Sequence, residues 1–167
     1  MRFQTVLLLA VLLLCAGCPY ESAVPLSDPE APIDRQLLGK WQKEGDEKTT
    51  YIVEEKKEKQ YQVVEKRYNA DEDTWELSLY RAHLTSIEGQ HFLNVQPYET
   101  NRRAEENTGN FYLYKLQRSD SEQVVLLPLS GYIRENFDNS QQLHHFVQQN
   151  MQHSFFYGYE EVLRRQN

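Results

Sequence analysis

The sequence predicts a mainly β domain in which eight short antiparallel strands form a barrel or sandwich, followed by a helix. Short runs containing apolar residues recur between polar turns over residues 37–127, which is the regular spacing typical of an antiparallel sheet. Helical periodicity appears only later, at i, i+3, i+4 and i+8, in Leu143, Phe146, Val147 and Met151. The two patterns do not overlap, so the strands come first.

The clearest strand signal is the alternation of Trp75, Leu77 and Leu79 with neighbours that are mostly polar, the period of two of a half-buried strand. Glu88-Gly89 predicts a tight hairpin turn between two further strands. Residues 101–110 are predicted to be a polar loop. The predicted strands cover residues 37–41, 49–54, 60–67, 75–80, 84–87, 92–95, 111–116 and 123–127.

Helix signals lie after the last of these strands. Asn139 or Ser140 is suited to cap the amphipathic helix, and Ser130 predicts a shorter helix over residues 131–136. Residues 155–162 fit either a strand or a second helix, and their aromatic content and Gly158 favour a strand.

The N-terminus has the layout of a secretory signal peptide over residues 1–17. Arg2 precedes an apolar run over residues 6–14, which is shorter than the roughly 20 residues that a membrane-spanning helix needs. Cys15-Ala16-Gly17-Cys18 follows and resembles the lipobox of bacterial lipoproteins. The resemblance implies cleavage between Gly17 and Cys18, acylation of Cys18, and anchorage in the cell envelope. Pro19 rather than aspartate after the cysteine implies sorting to the outer membrane of a Gram-negative bacterium. The alternative is an ordinary cleaved signal peptide with two incidental cysteines.

Composition narrows the chemistry of the remaining chain. The chain has two cysteines, Cys15 and Cys18, so cleavage and acylation would leave neither a disulfide nor a free thiol. The net charge is −7, and removing the signal peptide with Arg2 makes the chain more acidic by one. An acidic chain has no electrostatic reason to bind nucleic acid or anionic headgroups, so acyl chains must supply membrane attachment.

Four of the six prolines lie between Cys18 and Ile33. This density disfavours helix and central strand, and it predicts that residues 18–36 form an extended tether between the membrane and the domain. The alternative is an irregular segment packed along the domain, with Val24, Leu26 and Ile33 docked on it.

Gly39-Lys40-Trp41 at the first strand is similar to the G-x-W motif of lipocalins and related calycin barrels. The resemblance implies that residues 37–167 form an eight-stranded lipocalin-like barrel with a C-terminal helix. It further implies that Gly39 permits a bend and that Trp41 plugs the closed end. An arginine usually stacks on that tryptophan, and the candidates are Arg118 and Arg134. A different mixed β fold with appended helices is the alternative.

A barrel of eight strands either fills with side chains or encloses one small molecule. Two functions follow: a protein that binds a small apolar ligand inside the barrel, or an accessory lipoprotein that docks an envelope protein and has a filled core. The candidate ligand-binding residues are Tyr51, Tyr61, Trp75, Phe92, Phe111, Tyr112 and Tyr114.

The motifs of familiar enzymes and metal sites are missing from the sequence. There is no G-x-S-x-G motif, and Ser130 lacks the nucleophile-elbow pattern. The histidines show no H-x-x-x-H spacing; His144 and His145 are adjacent on the predicted helix, whereas His83 and His91 lie on neighbouring predicted strands. We therefore expect no catalytic activity, no metal and no cofactor.

Overall fold

The structure is a computed structural model that describes residues 19–100, 105–107 and 109–166, with side chains described for residues 19–98 and 109–166. The predicted cleavage and lipidation residues, Gly17 and Cys18, lie outside the described residues. No helix in the described part of the chain has the length and apolar content needed to cross a membrane.

Eight strands close into an up-and-down antiparallel barrel, as the sequence predicts. Each barrel strand pairs with the next along the chain, and the last pairs with the first, with Leu163 opposite Lys43. The barrel strands are β2 (Gly39–Lys43), β3 (Thr49–Lys57), β4 (Gln60–Asn69), β5 (Thr74–Ile87), β6 (Gln90–Thr100), β8 (Phe111–Ser119), β9 (Gln123–Pro128) and β10 (Glu161–Gln166). Two short strands add to it: β1 (Glu21–Ser22) pairs with β8, and β7 (Glu105–Asn107) pairs with the end of β6.

The segments that form these eight strands differ from the predicted segments in two places. The segments predicted at residues 75–80 and 84–87 are one strand, β5, because Ala82 continues the inward-facing set and His83 the outward-facing one. The eighth barrel strand is β10, which follows the helix. Its sequence, Glu161 to Gln166, is largely polar, and it is a strand because it fills the gap between β9 and β2.

The prediction of a helix over residues 131–136 was wrong. Ser130 pairs with Pro19, and Leu129 pairs with Tyr157, so the backbone entering this segment is extended rather than helical. The amphipathic helix is confirmed as α1 (Ser140–Asn150), with the Asn139 side chain accepting a hydrogen bond from the backbone N–H of Gln142 at 3.0 Å.

Helix α1 packs against the outside of the barrel. Its buried residues Leu143 and Val147, together with Met151, share a core cluster with Phe92 and Leu113. Phe92 lies opposite Thr85 on β5, on the face of the sheet that points away from the barrel axis. The outer face of β5, β6 and β8 is therefore a second hydrophobic core, separate from the interior of the barrel.

The proline-rich segment is not a tether along residues 19–34, because it packs against the barrel. Tyr20 and Leu26 are buried, and the backbone N–H of Leu26 donates to Asn94 Oδ1 at 2.7 Å. Farther along, the backbone N–H of Asp34 donates to the hydroxyl of Tyr61 at 2.6 Å. Proline keeps this backbone extended, and the barrel wall supplies the partners that hold it in place.

Candidate functional site

One end of the barrel, called here the closed end, is plugged by Trp41. This side chain is 1% exposed, and its Nε1 donates to the carbonyl oxygen of Leu37 at 2.8 Å. Leu37 ends a 3₁₀ turn, Arg35–Leu37, that precedes β2. Trp41, to which the resemblance assigns the plug, is therefore buried against the turn that precedes β2.

The arginine that stacks on this tryptophan is Arg165 in β10. Its guanidinium carbon lies 4.2 Å from the centre of the Trp41 ring, a favourable cation–π geometry. The same group donates to the carbonyl oxygens of Leu38 at 2.9 Å and Gln36 at 2.8 Å. It also occupies the space that a side chain on Gly39 would need, and Gly39 has a φ of +128°.

The candidates Arg118 and Arg134 were wrong, because both are exposed and neither contacts Trp41. Arg165 was missed because its strand was not recognised as part of the barrel. Once β10 pairs with β2, Arg165 lies directly opposite Trp41.

Above the plug, the barrel encloses a cavity of about 310 Å³. A smaller apolar void of about 50 Å³ lies beside Trp41 and Tyr61. The two spaces share a floor of aliphatic side chains: Val53, Val63, Leu93, Leu126 and Leu163. The larger cavity is at the lower end of the range of about 300–1,000 Å³ for small-molecule sites. It opens at the end of the barrel where β2, β4, β6 and β9 finish, called here the open end.

The four charged side chains that line the mouth of the cavity are paired with one another. Lys43 Nζ lies 3.1 Å from a carboxylate oxygen of Glu161. Glu65, which is buried, accepts hydrogen bonds from Arg67 Nη2 at 2.7 Å and from the Tyr80 hydroxyl at 2.8 Å. Burial and the bond to Glu65 raise the pKa of Tyr80 to about 12. Two cations and two carboxylates thus balance among the residues that line the cavity.

Two tyrosine hydroxyls in the cavity wall differ from this pattern. Within the part of the chain whose side chains are described, nothing hydrogen-bonds the hydroxyl of Tyr51 or that of Tyr114. Burial raises the pKa of both groups well above the usual value, so both keep their protons at neutral pH. Neither hydroxyl oxygen is fully buried, so each can be reached from the cavity and can bond a molecule there.

The seven aromatic residues predicted to bind a ligand fall into three groups. Tyr51, Tyr112 and Tyr114 line the cavity, and Tyr61 lines the small void at the closed end. The other three do not face the interior.

Trp75 is exposed, and Phe92 and Phe111 pack in or against the outer core. The sequence alone could not separate these groups, because a shift of one residue in register exchanges the two faces of a strand. The rim residues Lys43, Glu65, Arg67 and Glu161 were not predicted, since charged residues in strands ordinarily face solvent, and Tyr80 was not among the predicted aromatic residues.

The histidines do not come together in the described part of the chain, which contains no group of three or more histidine, cysteine or acidic side chains suited to a metal ion. His83 is buried, with Nε2 2.8 Å from the carbonyl oxygen of Ser27, and burial lowers its pKa. It binds the N-terminal segment to β5. His91, His145 and His153 are exposed, and His144 is half-buried.

Comparison of this chain with family models, with curated proteins and with solved structures finds no match.

Proposed function

We propose that this protein is a lipid-anchored envelope lipoprotein that binds a small apolar molecule inside its barrel, without catalysis. The observation that carries the proposal is the cavity of about 310 Å³, which has an aliphatic floor and two unpartnered tyrosine hydroxyls in its wall. A core that served stability alone would leave no open volume of this size, because lost packing contacts cost free energy.

The wall chemistry narrows the ligand class. The aliphatic floor suits a hydrocarbon or ring portion, whose burial contributes roughly 25 cal/mol per Å² of apolar surface. A tyrosine hydroxyl donates to a carbonyl, ether or hydroxyl oxygen, so the ligand carries such a group at the level of Tyr51 and Tyr114. Because Lys43 and Arg67 are already paired with carboxylates, a charged headgroup would have to break an existing ion pair. An uncharged ligand fits the cavity without breaking either pair.

The plug at the closed end supports a lipocalin-like origin for this site. Gly39, Trp41 and Arg165 form the glycine, tryptophan and arginine arrangement that the resemblance implies. The anchor itself is proposed from the lipobox at Cys15–Cys18 and the apolar run before it. The cavity favours ligand binding over the alternative of an accessory lipoprotein with a filled core.

Native mass spectrometry of the protein purified from its own membranes tests both parts of the proposal. The expected spectrum shows acylation at Cys18 and a second, non-covalent mass that is lost on denaturation. Unmodified Cys18 would contradict the anchor. An empty barrel that also fails to bind a panel of neutral apolar molecules in titrations would contradict the binding function.

A pair of variants on one strand locates the binding. Val63 points into the cavity, whereas Val64 on the same strand points outward because successive strand residues face opposite sides. Val63→Phe fills the cavity and should abolish binding of the co-purified molecule, and Val64→Phe should leave its affinity unchanged. Equal affinities for the two variants would show that the ligand binds elsewhere.

A further inference from the structure

The described chain begins at the rim of the open end. Pro19 lines the cavity mouth and pairs with Ser130, and the backbone N–H of Tyr20 donates to the carbonyl oxygen of Leu129 at 2.9 Å. One peptide bond joins Pro19 to Cys18, which separates their Cα atoms by about 3.8 Å. Because residues 19–34 pack along the barrel wall, no tether follows Cys18. An acyl chain on Cys18 would therefore emerge at the mouth of the cavity.

The large apolar side chains that the described part of the chain exposes lie at this same end. Trp75 and Leu77 point outward from the start of β5, which lies at the open end. Tyr132, Phe155 and Tyr159 line a surface groove of about 600 Å³ that Pro19 also lines. Their exposed fractions run from 60% to 89%. Exposed aromatic side chains concentrated at one end of a domain mark an interaction surface, and tryptophan and tyrosine favour the interface of a bilayer with water.

We propose that the barrel stands with its open end against a zwitterionic lipid bilayer, so that the ligand enters and leaves the cavity from the membrane. This inference rests on the lipid anchor of the proposed function. The anchor fixes the rim at the headgroups, and the exposed aromatic side chains set the orientation by entering the interface. An apolar ligand would then reach its site without crossing water.

The charges at the open end select the kind of lipid. The turn between β2 and β3 carries Glu44, Asp46 and Glu47 with one cation, Lys48, and the turn between β4 and β5 carries the acidic run 71–73. These carboxylates would be repelled by an anionic surface within about one Debye length, roughly 8 Å at physiological salt. A zwitterionic surface imposes no such repulsion.

The two tryptophans report on opposite ends of the barrel. Trp75 is at the open end, whereas Trp41 is buried at the closed end, and the nine residues of β3 between the two ends span about 30 Å when extended. The full-length acylated protein is reconstituted into phosphatidylcholine vesicles containing lipids with a doxyl quencher near the headgroup. Trp75→Phe isolates the emission of Trp41, and its difference from the wild type gives the emission of Trp75.

The expected result is loss of most Trp75 emission to the lipid quencher and protection of Trp75 from aqueous acrylamide, with no change at Trp41. A matched pair of labels checks the orientation, since no other free thiol is expected in the acylated chain. A fluorophore on Glu72→Cys, at the open end, should be quenched by the doxyl lipid. The same fluorophore on Glu58→Cys, in the exposed turn at the closed end, should not be.

An anchored protein whose Trp75 stays accessible to acrylamide and is not quenched would overturn the proposed orientation. Equal quenching of the labels at Glu72→Cys and Glu58→Cys would also overturn it. So would a result in which Trp75 is shielded from acrylamide only when the vesicles contain a membrane protein as well as lipid. Failure of the anchor is distinguished separately, because Cys18→Ser protein would then divide between the soluble and membrane fractions in the same proportions as the wild type. Replacing the vesicles with anionic phosphatidylglycerol should weaken the quenching of Trp75, and stronger quenching would contradict the selection of a zwitterionic surface.

Discussion

We expect the wild type to be more stable than Tyr61→Phe at neutral pH and less stable than Tyr61→Phe at alkaline pH. Tyr61 is 1% exposed, its hydroxyl accepts the backbone N–H of Asp34, and burial raises its pKa from 10.0 to about 12. At pH 8 the variant loses this hydrogen bond, which should lower the free energy of unfolding by about 1 kcal/mol.

Above pH 10 the unfolded tyrosine releases its proton while the buried one retains it. Unfolding then releases a proton, so the contribution of Tyr61 to the free energy of unfolding falls as the pH rises. The contribution is fully present below pH 10 and decreases by about 1.4 kcal/mol per pH unit toward the raised pKa near 12. The total over the two units is about 3 kcal/mol. Tyr61→Phe lacks this loss, so the variant should become the more stable protein near pH 11.

Urea unfolding followed by circular dichroism at intervals from pH 8 to pH 11.5 gives both free energies of unfolding. Lysines and the other tyrosines titrate in both proteins, so the difference between the two curves isolates Tyr61. Trp41→Phe serves as the control, because it removes a hydrogen bond at the same end of the barrel without removing a titrating group. A wild-type advantage over Tyr61→Phe that stays constant from pH 8 to pH 11.5 would refute the reasoning.

Three further outcomes follow from the site and the wall. Tyr114→Phe should weaken ligand binding by roughly three- to tenfold in a titration, with no loss of thermal stability because the hydroxyl has no described partner. Arg165→Ala should lower the free energy of unfolding by about 2 kcal/mol and shift the emission of Trp41 to the red; unchanged emission would contradict the stacking. Asn94→Ala should cost about 3 kcal/mol and speed proteolysis within residues 19–34, since it leaves the N–H of Leu26 without its partner. Cleavage at the wild-type rate would show that Asn94 does not hold the segment.

Local chemistry explains the elements that the sequence predicted correctly. The turn at Glu88-Gly89 forms because both residues have positive φ, 49° and 78°, which is the conformation of a two-residue hairpin. Helix α1 begins where Asn139 caps it and presents an apolar face every three to four residues. Each of these features depends on residues within a few positions of one another, so a linear pattern is sufficient to identify it.

The features that define the candidate site depend on contacts between distant parts of the chain. The barrel closes through β10, whose polar sequence is extended because β9 and β2 offer it hydrogen bonds on both edges. That closure places Arg165 on Trp41 and Glu161 beside Lys43. No spacing rule predicts these pairs, because the partners lie more than a hundred residues apart.

The sequence by itself determined that the chain would form short antiparallel strands followed by the amphipathic helix capped at Asn139. Only the tertiary structure decided which face of each strand points inward, because a period of two is equally compatible with either face until the register is set. It therefore separated Tyr51 and Tyr114 in the cavity from Phe92 and Phe111 on the outer face. It also decided that the proline-rich segment packs on the wall, because its hydrogen-bonding partners are supplied by strands far along the chain.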